Sequence, residues 1–183
     1  MKKRVCSFIA VFSLILLTFV ILEACSKKPI PAQQTGDLKK YSLSAKELPD
    51  LGIVFELNLG KDEMSPNAVS GYAANFGNKV KNTSSSGYKS LSINLQSYNT
   101  AEDAKKYFSR NMLPNEVIQK FQEIKTKGMI GDESFVYSAD VSKQRRVYAL
   151  YRTGNVAVQL SSIGIGTNNT VRYARIIESK FKK

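Results

Sequence analysis

One segment, from Tyr88 to Tyr98, limits what this chain can fold into more than any other. Its apolar residues Leu91, Ile93 and Leu95 alternate with polar residues, and successive side chains of a β-strand point to opposite faces of a sheet. Such a strand buries one face and leaves the other to water or to a polar layer. The segment therefore predicts a sheet with one apolar face and one face that is wet or covered by a polar layer.

Further strands are predicted on both sides of this segment. Two precede it, and a three-strand antiparallel meander follows, in which Thr153-Gly154-Asn155 supplies a tight turn for the last hairpin. The predicted strands cover residues 52–59, 69–80, 88–98, 135–141, 147–151 and 156–160.

Helices are predicted from their caps and apolar stripes. Thr100 caps one helix, and Asn168 and Asn169 can cap a final helix from Thr170 to Phe181. Residues 115–124 favour a helix, with a partial strand as the alternative.

The order of these elements predicts an α+β fold, a single domain with an antiparallel β-sheet and helices packed against it. We expect the helices that begin near Thr100 and Thr170 to cover the face that carries Leu91, Ile93 and Leu95. We also expect the domain to be a monomer that folds without metal or disulfide.

The second half of the chain resembles exported sensor-type and PsbP-like α/β/α domains. The resemblance is carried by Thr-Ala-Glu-Asp-Ala-Lys-Lys-Tyr-Phe at 100–108, Gly-Asp-Glu at 131–133, Arg-Thr-Gly-Asn at 152–155 and the closing helix. Because these motifs mostly encode turns and caps, the resemblance implies a fold and almost nothing about a ligand.

The first 25 residues indicate where in the cell the protein is located. Lys2, Lys3 and Arg4 precede an apolar run over 5–22, which ends in Leu22-Glu23-Ala24-Cys25. This pattern resembles the type II signal peptide of prokaryotic lipoproteins. The resemblance implies a signal peptide at 1–24, a lipid on Cys25, a flexible tether over 25–40 and an exported domain over 41–183, anchored to the cell membrane or outer membrane.

An uncleaved membrane anchor is the alternative. Glu23 stands where lipoproteins usually have a small or apolar residue, and the apolar run of roughly 18 residues could barely span a hydrocarbon layer of ~30 Å. Both interpretations export the rest of the chain. Cys6 lies within the signal, so a lipidated Cys25 leaves no cysteine for a disulfide.

The charge of the chain bears on its partners. The whole sequence carries +12, of which the first 24 residues contribute three cations and one anion. This excess favours an anionic partner such as an envelope polymer or lipid head groups. We predict no nucleic-acid partner, because the basic residues are scattered and the chain is exported.

The chain contains no His and no Trp. Histidine-based acid–base catalysis, Ser-His-Asp triads and His-ligated zinc are therefore excluded. The adjacent Asp132 and Glu133 are interpreted as a solvated turn, since neighbours in a strand point to opposite faces. We predict no catalytic residue, cofactor or metal site.

Strand tyrosines are the remaining candidates for a binding site. A lipid-anchored binding or sensor-type domain without catalysis is the main prediction, and a carrier of a small apolar ligand or lipid in an aromatic-lined pocket is the alternative. Tyr72, Tyr137 and Tyr151 are the candidate ligand contacts, with Arg152 as an anion anchor. Aromatic residues on strands more often belong to a core.

Overall fold

Seven strands form an antiparallel sheet in the computed structural model, which describes residues 36–78, 87–108, 115–126 and 128–183. Their spatial order is β1-β2-β3-β7-β6-β5-β4. The strands are β1 Leu51–Asn58, β2 Ala68–Asn78, β3 Ser90–Tyr98, β4 Gln122–Glu123, β5 Glu133–Val141, β6 Gln144–Thr153 and β7 Val156–Ile163. The α-helices in the described ranges are α1 Ala101–Tyr107, α2 Asn115–Lys120 and α3 Thr167–Phe181.

The predicted α+β class is confirmed, and so is the central strand. Leu91, Ile93 and Leu95 on β3 are at most 1% exposed, and they belong to the main core. Helix α3 packs on this side of the sheet, where the Tyr151 hydroxyl donates to the carbonyl of Ala174 at 3.1 Å. We call this side of the sheet the covered face.

Helix α1 packs on the opposite side, so the prediction that both helices cover one face is wrong. Ala104 of α1 lies in a second cluster with Tyr98, Leu150 and Ala157, whose side chains alternate with those of the covered face. Successive side chains of β3 point to opposite sides of the sheet, so Tyr98, five residues after Ile93, lies on the side away from it. Because α1 follows β3 after only two residues, it packs against the side on which Tyr98 ends the strand.

The folded region extends further towards the N-terminus than the start expected at Tyr41. A 3₁₀ turn spans Leu38–Tyr41, and both of its end residues are buried. The Tyr41 ring stacks on Phe181 of α3, with centroids 4.2 Å apart. The backbone N–H of Ser44 donates to the Glu47 carboxylate at 2.6 Å and closes a single turn there.

The last helix begins three residues before its predicted start. Gly166 is its N-cap, and Asn168 and Asn169 lie in the first turn, so their predicted capping role is wrong. The chain reverses at Gly164, whose φ is +67°, and a Cβ there would lie 2.2 Å from the Tyr88 carbonyl oxygen. This sharp turn brings the chain back over the sheet at once, and the helix starts directly after it.

The region predicted as helix or partial strand contains both. Helix α2 is followed by the two-residue strand β4, which pairs antiparallel with β5. Several predictions lie outside the described residues: the signal peptide, Cys25, most of the tether and residues 79–80 of the second strand. Among the described helices, none combines the length and the apolar character needed to cross a bilayer.

Candidate functional site

Two of the predicted ligand contacts are core residues of the covered face. Tyr72 and Tyr151 are 2% and 0% exposed. The Tyr72 hydroxyl donates to Glu56 at 2.9 Å, and burial together with this hydrogen bond raises the pKa of Tyr72 to about 12. Burial also raises the pKa of Tyr151 well above its ordinary value. Both hydroxyls are therefore donors in the native structure.

The other two predicted contacts lie on the opposite side. Tyr137 is buried in the cluster beneath α1, and Arg152 donates to Asp132 at 3.2 Å and to the Gly154 carbonyl at 3.0 Å. The Gly154 N–H also donates to Asp132 at 2.8 Å, so this carboxylate holds two turns together. The four residues are divided between two faces, and as ligand contacts they stay predictions.

A different group of side chains forms a surface on the side away from α3, beyond the area that α1 covers. We call it the open face. Its members are exposed or half-buried, and they share one side because they are paired across the strands or alternate with covered residues. They are Val54, Phe55, Leu57, Ala73, Asn75, Ser92, Asn94, Gln159 and Ser161.

An apolar wall forms one margin of the open face. Val54, Phe55 and Leu57 on the edge strand β1 are 65%, 48% and 38% exposed. The pairing of β1 with β2 shifts register between Ile53 and Phe55, which indicates a β-bulge. Phe55 lies opposite Asn75 in the neighbouring strand. Val54 lies close to Gly77, because a Cβ added to Gly77 would be 3.1 Å from the Cγ2 atom of Val54. The bulge thus directs two consecutive apolar side chains to one face.

Uncharged polar side chains form the floor. The Asn75 amide donates to the Ser92 hydroxyl at 2.6 Å, and Asn94 accepts from the Gln96 amide at 3.2 Å. Within the described residues, the side chains of Gln159 and Ser161 have no hydrogen bond. Asn94 lies directly opposite Gln159. The floor therefore offers amide and hydroxyl groups that remain available to a ligand.

The far margin is aromatic. Tyr148 on β6 lies opposite Ser161, and the Phe121 ring meets it edge-on with centroids 5.4 Å apart. The open face is thus a polar strip about three strands wide. The apolar wall of β1 bounds it on one side, and Tyr148 with Phe121 bounds it on the other.

Charge is absent from the nine positions of the open face, although 23% of the chain is charged. Glu56, which stands between Phe55 and Leu57 in sequence, points to the covered side and pairs with Lys39. Hydrogen bonds from Lys39 and Tyr72 hold the pKa of Glu56 below its ordinary value. In the described part of the chain, no three acidic or thiol side chains cluster as metal ligands would.

Sequence reasoning missed this surface, although part of its signal was visible. The polar residues that alternate with Leu91, Ile93 and Leu95 predict a wet face. The apolar wall could not be inferred, because a mostly apolar segment such as Ile53–Leu57 is equally compatible with a buried central strand and an exposed edge strand.

Comparisons with known proteins bear on the fold. No protein-family model matches the sequence, and no curated protein does either. Among solved structures, the chain is similar to the extracellular domain of PknH from Mycobacterium tuberculosis, with a TM-score of 0.57 and 10% identity. The match covers 79% of this chain and 94% of that domain. At this identity the likeness shows a shared fold, and that fold occurs in an extracellular domain.

Proposed function

We propose that this protein is an exported, lipid-anchored binding or sensor-type domain of the cell envelope, without catalytic activity, and that the open face is its ligand surface. The observation that carries the proposal is the pairing of available amide groups with a wall of exposed apolar side chains. Exposed apolar side chains next to polar groups are typical of interaction surfaces. The fold shared with an extracellular domain supports the exported location.

The lack of catalysis is supported by how the described ionic groups are used. Glu47 pairs with Lys180 at 2.9 Å, and Asp132 pairs with Arg152 while it accepts from a backbone N–H. These carboxylates stabilise turns and helix packing. A general acid or base would instead have to face a cleft beside a reacting group.

The lipid anchor rests on Cys25 and the sequence before it. Metabolic labelling with a fatty-acid analogue, followed by mass spectrometry of the N-terminal peptide, tests it. We expect Cys25→Ala to abolish labelling, because the acyl chain is attached through this sulfur. Cys6→Ala is the matched control, since Cys6 lies in the segment that is removed and labelling should persist.

Labelling that survives in Cys25→Ala would contradict the lipid anchor. A mature N-terminus at any residue other than Cys25 would do the same. If the chain keeps residues 1–24 in the membrane, the uncleaved anchor replaces the lipid while the domain remains exported.

The anionic partner is a second part of the proposal. After removal of residues 1–24, a net charge of +10 remains from the +12 of the whole chain. We expect the full-length protein in neutral phosphatidylcholine vesicles to bind dextran sulfate, and the affinity to fall as salt screens the attraction. Binding that is absent at low salt would leave the charge as a contribution to solubility.

A further inference from the structure

We infer that the open face binds an uncharged, hydroxyl-rich glycan chain. The inference rests on the proposed function, since it names the class of ligand for the surface proposed there. It differs from the anionic partner suggested by net charge, because it concerns a local surface with its own chemistry.

The floor of the open face matches hydroxyl groups. Asn75, Asn94 and Gln159 each carry an amide with donors and acceptors, and sugar hydroxyls also donate and accept. Their side chains are half-buried on paired strands, so little conformational freedom remains to be lost on binding. Directly opposite residues are about 5 Å apart across an antiparallel pair. A chain of sugar rings could therefore contact several of these amides at once.

The apolar wall matches the other surface of a sugar. Pyranose rings have C–H faces that pack on aromatic and aliphatic side chains, and Phe55 stands at the edge of the amide floor, opposite Asn75. Tyr148 offers a second aromatic ring on the far side of the strip. A ligand with both C–H faces and hydroxyl groups can contact the wall and the floor together.

Other ligand classes fit this surface less well. A purely apolar ligand would remove Asn94 and Gln159 from water without replacing their hydrogen bonds, which is costly. An anionic ligand would find no cation at the nine positions of the open face, and Arg146 on the same side lies at the far margin, two residues from Tyr148 on β6. A neutral glycan avoids both costs.

Titration with uncharged oligosaccharides tests the inference. The probes are cellohexaose, maltohexaose and chitohexaose, added to the full-length protein in phosphatidylcholine vesicles and measured by calorimetry at low and high salt. We expect at least one probe to bind with an affinity that salt does not change, because no charge takes part.

Two variants locate the binding. Asn94→Leu removes the amide but keeps a side chain of similar size, and Phe55→Ala removes the aromatic wall. Each should weaken binding about tenfold or more, the factor expected for loss of one well-formed contact. Asn58→Leu is the matched control, since Asn58 is an exposed residue of the same edge strand, opposite Tyr72 on the covered side. It should keep the wild-type affinity.

The inference is overturned if none of the three probes binds, or if Asn58→Leu weakens binding as much as Asn94→Leu. It is also overturned if dextran sulfate alone binds and salt abolishes that binding. Phe55→Ala keeps the test decisive if Asn94→Leu does not fold. Lipid labelling of Cys25 is read independently, so a failed anchor and a failed glycan site give different results.

Discussion

The two faces of the sheet differ most clearly on β3, where neighbouring residues belong to opposite environments. Ile93 is 1% exposed beneath α3, whereas Asn94 is half-buried on the open face. The covered face is filled by aliphatic and aromatic side chains, and the hydroxyls of Tyr72 and Tyr151 bond within the protein. The open face keeps amide groups available beside exposed apolar residues. One strand can therefore supply stability from alternate residues and recognition from the others.

The largest expected loss of stability comes from creating a cavity on the covered face. Ile93→Ala should lower the free energy of unfolding by about 2–5 kcal/mol, because it removes buried methylene and methyl groups and leaves a void. Urea unfolding followed by circular dichroism measures it. Asn94→Ala, one residue away, should cost only about 1 kcal/mol, because it removes the hydrogen bond that Asn94 accepts from Gln96 but leaves no large void. Similar losses in the two variants would remove the distinction between the faces.

Loss of the cap of α1 should have the next largest effect. Thr100 accepts from the N–H of Asp103 at 3.0 Å and donates to its carboxylate at 2.7 Å. Thr100→Ala should therefore cost about 1 kcal/mol, and up to about 2 kcal/mol, of unfolding free energy. Thr100→Ser keeps the oxygen and serves as the control. A silent Thr100→Ala would mean that α1 does not depend on its cap.

Two Tyr→Phe substitutions compare how much a tyrosine hydroxyl contributes to stability on each face of the sheet. Tyr151→Phe removes the bond to the Ala174 carbonyl on the covered face and should cost about 1 kcal/mol. Tyr148→Phe is the matched change on the opposite side of the same strand, where the residue is half-buried. Its effect on thermal unfolding should be smaller. An equal effect would show that the Tyr148 hydroxyl also has a structural role.

The smallest expected effect is on the pH dependence of stability. Burial opposes the ionisation of Glu47, but hydrogen bonds from Ser44 and Lys180 outweigh it and hold its pKa below the usual 4.5. A carboxylate with a depressed native pKa stabilises the fold above its unfolded pKa, and this contribution is lost as pH falls through the native pKa. Glu47→Gln should therefore flatten the acid limb of the stability profile. The exposed Asp50, changed to Asn, is the control.

An acid limb that is identical in Glu47→Gln and in the wild type would contradict this role. The ion pair between Glu47 and Lys180 links the N-terminal turn to α3 on the covered side. The result therefore also indicates how much this ion pair adds to the stability of the packing there.

Local patterns predicted much of the covered face. The alternation of Leu91, Ile93 and Leu95 predicted β3, and Thr153-Gly154-Asn155 predicted the turn between β6 and β7, where Gly154 has a φ of +56°. Both depend on residues close in sequence. The turn between β5 and β6 carried no such signal, because Ser142 and Lys143 both adopt positive φ without an Asn-Gly pair.

Tertiary arrangement was harder to predict. The side on which α1 packs depends on the length of its connection and on Tyr98, since its own apolar stripe fits either face. The exposure of Phe55 depends on the position of β1 at the edge of the sheet. Strand order is a property of the whole chain, so a single apolar segment cannot reveal it. For the same reason, the candidate tyrosines could not be assigned to faces.

The most direct test of the division between the faces measures unfolding free energy and hexasaccharide affinity on the neighbouring variants Ile93→Ala and Asn94→Leu. We predict a crossed result. Ile93→Ala should lower stability while the folded protein keeps its affinity, and Asn94→Leu should lose affinity with a clearly smaller loss of stability. If both variants change both quantities together, or if Asn94→Leu changes neither, the two faces do not have the separate roles described above.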